Sequence, residues 1–372
     1  TIVSSTLTWE KVTTLDLGLD ARFFNDALGV TFDWYNRTPS DILTTANLPA
    51  TLGADAPYEN MGTIQTKGWE LAIDYRHTFK NGLHFGVTAS VADDKTEVTK
   101  WTYNTKIPSY GATGWWDKSA YKEGMVLGDI WGLQFDRFLT EDDFNADGSL
   151  KAGLPDQTKV FPAGYQFAPG DVLYKDLDNN GEIVKQTNTN DKGDLSVIGN
   201  ALPRLQFGLN LDAAWKGFDI SMFFQGVAKR KLWAAGNQVL PGFTTGEPFY
   251  KGAEDYWTPE NTDAFYPRPM DYKQSASGNY SVNDRYLLNM AYLRLKTFTV
   301  GYSLPKVWLS KFKVQGLRVY FTGENLFTID GVKPAIDPEI GIRTASGKSD
   351  QRNFGRSYPY QKTVSFGIQL SL

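Results

Sequence analysis

The apolar and polar residues of this chain alternate with a period of two along several segments. In TVSFGIQLSL (363–372), every second residue is apolar, and threonine, serine, glycine and glutamine fill the positions between. This period is typical of a β-strand with one apolar and one polar face. The same alternation occurs in TLDLGLDARF (14–23), ALGVTFDW (27–34), WELAIDYRH (69–77), LHFGVTASV (83–91) and RLQFGLNLDAAW (204–215). The sequence therefore predicts an all-β fold.

The lengths of these segments and of their connections indicate a transmembrane antiparallel β-barrel. The segments run to roughly ten residues, as in membrane-spanning strands, whereas strands of soluble sheets average about 5–6. Tight turns such as KNG (80–82) alternate with long loops such as 228–291, as in outer-membrane barrels. The apolar face is then expected toward lipid and the polar face toward a lumen. The charged residues expected on the lumen face, where they would bind a plug or line a hydrated wall, are Asp16, Asp20, Arg22, Asp33, Glu70, Asp74, Arg76, Asp212 and Glu324.

The number of strands bears on how much of a barrel this chain supplies. The clear segments give nine strands, and candidates at 129–138 and 164–177 would raise the count to eleven. Closed single-chain bacterial barrels have even numbers of strands. We therefore expect residues 1–372 to be the C-terminal part of a larger barrel, with about 9–11 strands.

Three segments near the end of the chain resemble a known family. AYLRLKTFTVGYSLP (291–305), LRVYFTGENLFTIDGVKPAIDPEIG (317–341) and YPYQKTVSFGIQLSL (358–372) resemble the C-terminal end of SusC-like (SusC/RagA) TonB-dependent outer-membrane transporters. GDVLYKDLDNNGEI (170–183) is similar to the Asp-rich segment of that family. One departure is Leu372, where the family usually has an aromatic residue.

The resemblance implies a 22-stranded barrel in the outer membrane of a Gram-negative bacterium. It also implies a plug and a SusD-like lipoprotein lid, with import of glycans or oligosaccharides, or of peptides, driven by the TonB complex. The N-terminal half of the barrel, the plug, the TonB box and a signal peptide are expected outside this chain. No catalytic residue is expected, because the G-x-S-x-G and H-E-x-x-H motifs are absent.

Composition gives little indication of function, and two alternatives to an importer remain open: a passive pore and a soluble β-domain. A net charge of −4 and the absence of cysteine give no indication of nucleic-acid binding or of thiolate chemistry. A passive outer-membrane pore without plug or lid would have the same alternating strands. A soluble carbohydrate-binding β-domain would also have alternating strands, but shorter ones.

Two Asp-rich loops are candidates for Ca²⁺ binding. Oxygen ligands at alternate positions before a glycine turn suit a hard cation. The predicted ligands are Asp143, Asn145 and Asp147 in EDDFNADGSL and Asp176, Asp178 and Asn180 in KDLDNNGEI. Both loops lack the bidentate glutamate of a helix-flanked calcium loop, and the alternative is a solvated turn.

Aromatic residues are dense in the long loops, which the barrel topology directs outward. Flat apolar rings with polar edges suit sugar faces and peptide side chains. The candidate substrate-binding residues are Trp115, Trp116, Trp233, Tyr250, Tyr256, Trp257 and Tyr266. The alternative is that these rings pack the loops together or seat the lid protein.

Overall fold

The computed structural model describes residues 7–45, 57–102, 121–185, 192–234, 236–243, 249–270, 278–309, 314–333, 336–339 and 358–371. Its strands are β1 (Lys11–Phe23), β2 (Leu28–Ser40), β3 (Ile42–Thr45), β4 (Tyr58–Thr78), β5 (His84–Trp101), β6 (Asp129–Gly132), β7 (Phe135–Phe138), β8 (Val172–Tyr174), β9 (Ser196–Asn200), β10 (Arg204–Trp215), β11 (Phe218–Lys229), β12 (Lys231–Leu232), β13 (Leu288–Asn289), β14 (Tyr292–Ser303), β15 (Gly316–Asp330) and β16 (Thr363–Ser371). The helical segments are three short 3-10 helices (Glu141–Asp143, Thr158–Val160 and Gly278–Tyr280) and α1 (Lys306–Leu309). Among these described ranges, no helix is long and apolar enough to cross a bilayer.

Nine long strands form one antiparallel sheet in the order β1-β2-β4-β5-β10-β11-β14-β15-β16. The short strand β3 pairs with the beginning of β4. Within the described residues, β1 pairs only with β2 and β16 only with β15. The sheet therefore has two open edges, and the count of nine long strands is confirmed.

Of the two counts left open, nine and eleven, the described residues form nine long strands, and the two candidate segments add none to the sheet. The candidate segments at 129–138 and 164–177 contain β6, β7 and β8, which have only three or four residues each. A strand needs about 9–11 residues to cross a bilayer. These strands instead form two small sheets, β6 with β9 and β7 with β8, outside the nine-stranded sheet.

The cross-strand register places the apolar positions on one face. Phe321 lies opposite Phe366 with ring centroids 5.2 Å apart, and Val319 lies opposite Ile368. Large apolar side chains are exposed on the two edge strands, β1 and β16, at Leu15, Leu17, Leu19, Val364, Phe366, Ile368 and Leu370. An apolar surface this continuous requires apolar surroundings, as predicted for a face toward lipid.

The opposite, polar face contains a cavity of about 510 Å³. The side chains that line it include Asp33, Glu70, Ser90, Gln206 and Gln225. The predicted lumen residues Asp33 of β2 and Glu70 of β4 lie directly opposite each other in the cross-strand register. Most of the other predicted lumen charges occupy the same face by strand alternation.

β14 and β15 each contain a β-bulge near the outer end, and the two bulges are neighbours in the sheet. β14 has an extra residue relative to β11, and β15 has an extra residue relative to β14 beside Asn325, whose φ is 51°. Bulges of this kind redirect side chains and increase strand twist. Lys296, at the first bulge, reaches Glu339 in the loop that follows β15, with 3.0 Å between Nζ and Oε2.

The long connections have apolar cores of their own. One core joins β12 and β13 to residues of 233–240 and 266–290, including Trp233, Leu240 and Tyr286. A second core joins β7, β8 and Phe161, in the connection between β5 and β10, to Trp257 in the connection between β11 and β14. The connections are therefore folded structures that can hold side chains in fixed positions.

Candidate functional site

The predicted substrate-binding aromatics fall into three groups. Trp115 and Trp116 lie outside the described residues. Trp233 and Trp257 are buried within the two loop cores, where the alternative role of packing the loops together accounts for them. Tyr250 and Tyr256 are exposed, whereas Tyr266 is buried beside them.

The exposed tyrosines stand at a pocket of about 720 Å³ in the 241–280 region. This volume is within the usual range for small-ligand sites, about 300–1,000 Å³. The floor is formed by Tyr266 and Tyr280, which are 4% and 5% exposed. The other lining residues are Pro241, Phe249, Tyr250, Lys251, Ala253, Glu254, Tyr256, Pro267 and Pro269.

Hydrogen bonds fix the floor of this pocket. The Tyr266 hydroxyl donates to the Val239 carbonyl at 3.0 Å, which orients the ring. The Tyr266 amide donates to the Asp255 carbonyl at 2.9 Å, and the Trp257 amide donates to the Tyr266 carbonyl at 3.0 Å. Burial, with the nearby Asp255 charge, raises the pKa of Tyr266 to about 12. The phenol therefore stays neutral and remains a donor at any physiological pH.

A buried polar network ties this region to the other long connection. The Asp171 carboxylate is fully buried and accepts hydrogen bonds from Tyr165 (2.8 Å), Arg268 (2.8 Å) and Asn279 (2.9 Å). Burial and the Asp171 charge raise the pKa of Tyr165. Because Arg268 immediately follows the pocket residue Pro267, this network holds one pocket wall against the second loop core.

Two residues of opposite charge, Lys251 and Glu254, line the pocket. Lys251 and Glu254 are exposed and lie in a turn that is closed by the Ala253 amide donating to the Tyr250 carbonyl at 3.1 Å. Neither forms an ion pair within 4.0 Å in the described part of the chain. Sequence reasoning missed both residues and Phe249. The signal was the placement of FYKGAED (249–255) directly before the aromatic pair YW (256–257).

The first Asp-rich loop is held by contacts within the protein. Both Asp143 oxygens accept hydrogen bonds from the Arg137 guanidinium, at 2.6 and 2.7 Å. This pairing lowers the pKa of Asp143 to about 2. Asn145 and Asp147 hydrogen-bond to Ser149. These are the contacts of a hydrogen-bonded turn, and Ca²⁺ binding at this loop stays a prediction.

The second Asp-rich loop brings three carboxylates together. Oxygens of Asp176, Asp178 and Asp194 lie within 4.8 Å of one another. The Asp178 carboxylate also accepts from the Asn180 amide group, and the fully buried Asp194 accepts from the Leu177 and Val184 amides. Asp194 was missed because it is 18 positions after Asp176. The oxygen-only donor set suits Ca²⁺, which stays a prediction here too.

A buried ion cluster lies at the outer end of β14. The Arg294 guanidinium contacts Asp337 at 2.7 Å and Glu339 at 2.9 Å, and its Nε donates to the Thr328 hydroxyl at 2.7 Å. The Tyr360 amide donates to Asp337 at 3.0 Å. One arginine thus joins the sheet to the segments 336–339 and 358–360.

The chain is similar to curated proteins over nearly its whole length. No protein-family model matches it. It is 28% identical over 376 residues to TonB-dependent receptor P3 of Formosa agariphila, covering 98% of this chain and 34% of that protein. It is 24% identical over 375 residues to TonB-dependent receptor SusC of Bacteroides thetaiotaomicron, covering 98% of this chain and 32% of that protein. The chain thus spans about a third of the length of these relatives.

A solved structure supports the same assignment of the fold. The RagAB peptide transporter matches 99% of this chain and 36% of its own chain, with a TM-score of 0.66 and 20% identity. The match includes the open antiparallel sheet and its long outer connections. The chain is therefore similar over nearly its whole length to TonB-dependent receptors, SusC among them, and its sheet has the fold of part of their outer-membrane β-barrel.

Proposed function

We propose that this chain forms part of the wall and outer loops of an importer that carries oligomeric nutrients, glycans or peptides, across the outer membrane. The observation that carries the proposal is the similarity to TonB-dependent receptors over 98% of the chain. A polar concave face and a pocket on the outer loops agree with it. In this proposal a SusD-like lipoprotein closes over the outer loops, and the TonB complex supplies the energy.

The wall itself is proposed to be passive, without catalytic residues. Two arginines on the polar face are engaged in structural pairs. Arg22 contacts Asp74 at 2.7 Å, and Arg318 contacts Asp219 at 2.5 Å. Such pairs give a hydrated wall with fixed charges rather than a nucleophile with an adjacent base.

Uptake in a strain that lacks the gene tests the proposal. The deletion strain should lose growth on one class of oligomeric nutrient, and the restored gene should rescue growth. Loss of TonB should abolish uptake equally. Uptake that persists without TonB would support the passive-pore alternative, and unchanged growth on every glycan and peptide mixture would refute the import proposal.

The lipoprotein partner is tested by purification of the full-length protein in mild detergent. A surface lipoprotein should copurify in a fixed ratio and dissociate when the outer loops are removed by limited proteolysis. Purification of the protein alone from cells that express the neighbouring genes would contradict this part of the proposal.

A further inference from the structure

We propose that the pocket of the 241–280 region holds an apolar side chain of a peptide, whose own charges pair with Lys251 and Glu254. The inference rests on the proposed import function for its biological setting, and it narrows the cargo from glycans or peptides to peptides. The binding chemistry itself rests on the pocket alone.

The walls of the pocket favour a hydrocarbon or aromatic group. Three prolines, Phe249 and Ala253 supply no side-chain hydrogen-bonding group, and the Tyr266 hydroxyl is already engaged with Val239. A sugar ring carries hydroxyls around its edge, and each one buried without a partner is costly. A phenylalanine, leucine or proline side chain has no such requirement, and its burial is favourable.

The exposed fractions of the aromatic side chains are those expected of a pre-organised pocket. The floor rings are almost fully buried, whereas the rim residues Phe249, Tyr250 and Tyr256 are 58%, 39% and 40% exposed. Rigid aromatic side chains lose little conformational entropy when they bind a ligand. Phe249 packs so closely on Gly242 that a Cβ there would lie 3.3 Å from its ring, which limits how far the rim can move.

The charges at the pocket discriminate between the two cargo classes. Lys251 and Glu254 carry opposite charges three positions apart, and neither has an ion-pair partner within the described residues. A peptide with free termini, or with charged side chains, offers an ammonium and a carboxylate to the two residues. A neutral oligosaccharide offers neither. Exposed pairs contribute modestly to affinity but strongly to selectivity.

Calorimetric titration of the full-length protein in detergent tests the proposal. The probes are Ala-Ala-Phe-Ala-Ala, Ala-Ala-Ala-Ala-Ala, the acetylated and amidated form of the first peptide, and the neutral hexasaccharide cellohexaose. We expect the phenylalanine peptide to bind at least ten-fold more tightly than the alanine peptide. Blocking its termini should weaken binding several-fold, and cellohexaose should not compete.

Variants assign the binding to this pocket. Phe249→Ala and Tyr256→Ala should remove the preference for phenylalanine, while Lys251→Gln with Glu254→Gln should remove the effect of blocking the termini. Tyr358→Ala removes an aromatic side chain that is almost fully exposed and does not line the pocket, and it should bind as the parent does. The semi-native electrophoretic shift of each variant confirms that the barrel has folded.

Three results would overturn the inference: binding of cellohexaose that Tyr256→Ala weakens, a phenylalanine preference that survives both pocket variants, or no peptide binding at all.

Growth assays separate this inference from the import proposal. If TonB-dependent growth on a nutrient continues while the pocket variants have no effect, the pocket assignment is wrong and import stands. If the pocket binds peptide but the deletion strain grows normally on all nutrients, the import proposal is wrong.

Discussion

Replacing Arg294 with methionine should destabilise the outer end of the sheet by about 3–5 kcal/mol, the usual cost of breaking a buried ion pair. The side chains of Arg294, Asp337 and Glu339 are 5%, 4% and 10% exposed. Their charges therefore depend on one another rather than on water. Among the described residues, the donors left to the buried Asp337 without the guanidinium would be the backbone amides of Glu339 and Tyr360.

The structure allows this magnitude to be refined. Lys296 also contacts Glu339 at 3.0 Å, and this contact does not depend on Arg294, so in the variant we expect Asp337 rather than Glu339 to lose its cation. The loss should therefore lie near the lower limit, about 3 kcal/mol. Burial tends to raise the pKa of Asp337, but hydrogen bonds from Arg294 and two backbone amides outweigh it and lower the pKa.

The pH dependence follows from the direction of that shift. A carboxylate with a lowered pKa in the folded state stabilises the protein above its unfolded pKa of about 3.9, and this contribution is lost as the pH falls through the folded value. The difference between parent and Arg294→Met should therefore be full at pH 7 and shrink below about pH 4.

Urea unfolding of the full-length protein, followed by tryptophan fluorescence, measures the difference. The matched control is Lys11→Met, because Lys11 forms an exposed pair with Asp41 at 3.6 Å and its side chain is 69% exposed. That change should cost about 0–1 kcal/mol. Equal losses for the two variants, or a loss for Arg294→Met that does not change with pH, would refute the reasoning.

Three further predictions concern other parts of the molecule. Phe366→Lys, on the lipid face, should lower the stability of the barrel by up to about 2–4 kcal/mol and reduce its assembly, measured as the folded band on semi-native gels. Ser365→Lys, on the other face, should be tolerated. Equal tolerance of the two substitutions would contradict the assignment of the faces. Asp143→Asn should lower the stability of the outer connection by about 1–2 kcal/mol at pH 7, after allowance for its half-exposed arginine partner; in hydrogen exchange the difference should shrink below about pH 4 and vanish only below the folded pKa of about 2. Millimolar Ca²⁺ should raise the melting temperature of the parent but not of Asp178→Asn, and identical melting curves with and without Ca²⁺ would favour the turn alternative.

The sequence predicted the strands well where one face contacts lipid and the other contacts water. β10 (Arg204–Trp215) coincides with the predicted segment, and β16 begins at the predicted Thr363. β4 extends over 21 residues, far beyond the predicted segment 69–77. A strand of 21 residues is longer than the roughly 9–11 needed to span a bilayer, so we expect its outer part, YENMGTIQTK, to lie beyond the lipid, where the period-two signal is lost.

The outer connections could not be predicted in this way because their order depends on contacts between distant residues. Trp233 and Tyr256 are both aromatic residues of the same long loop, yet one is buried in a loop core and the other lines a pocket. Asp171 would pass for a turn residue, but its partners Arg268 and Asn279 are about 100 positions away. Local patterns contain no signal for such pairings.

Glycines on the polar face explain how the wall carries charge at fixed positions. Arg22 of β1 reaches Asp74 of β4 across the intervening strand β2, where Gly29 stands between them. A Cβ at Gly29 would lie 2.5 Å from the Arg22 guanidinium. Gly301 of β14 has the same relation to the Arg318–Asp219 pair, which joins β15 to β11. Because the glycine leaves room for the arginine to lie flat on the sheet, each ion pair connects the two strands on either side of the glycine's strand. The wall can therefore be charged and rigid at the same time.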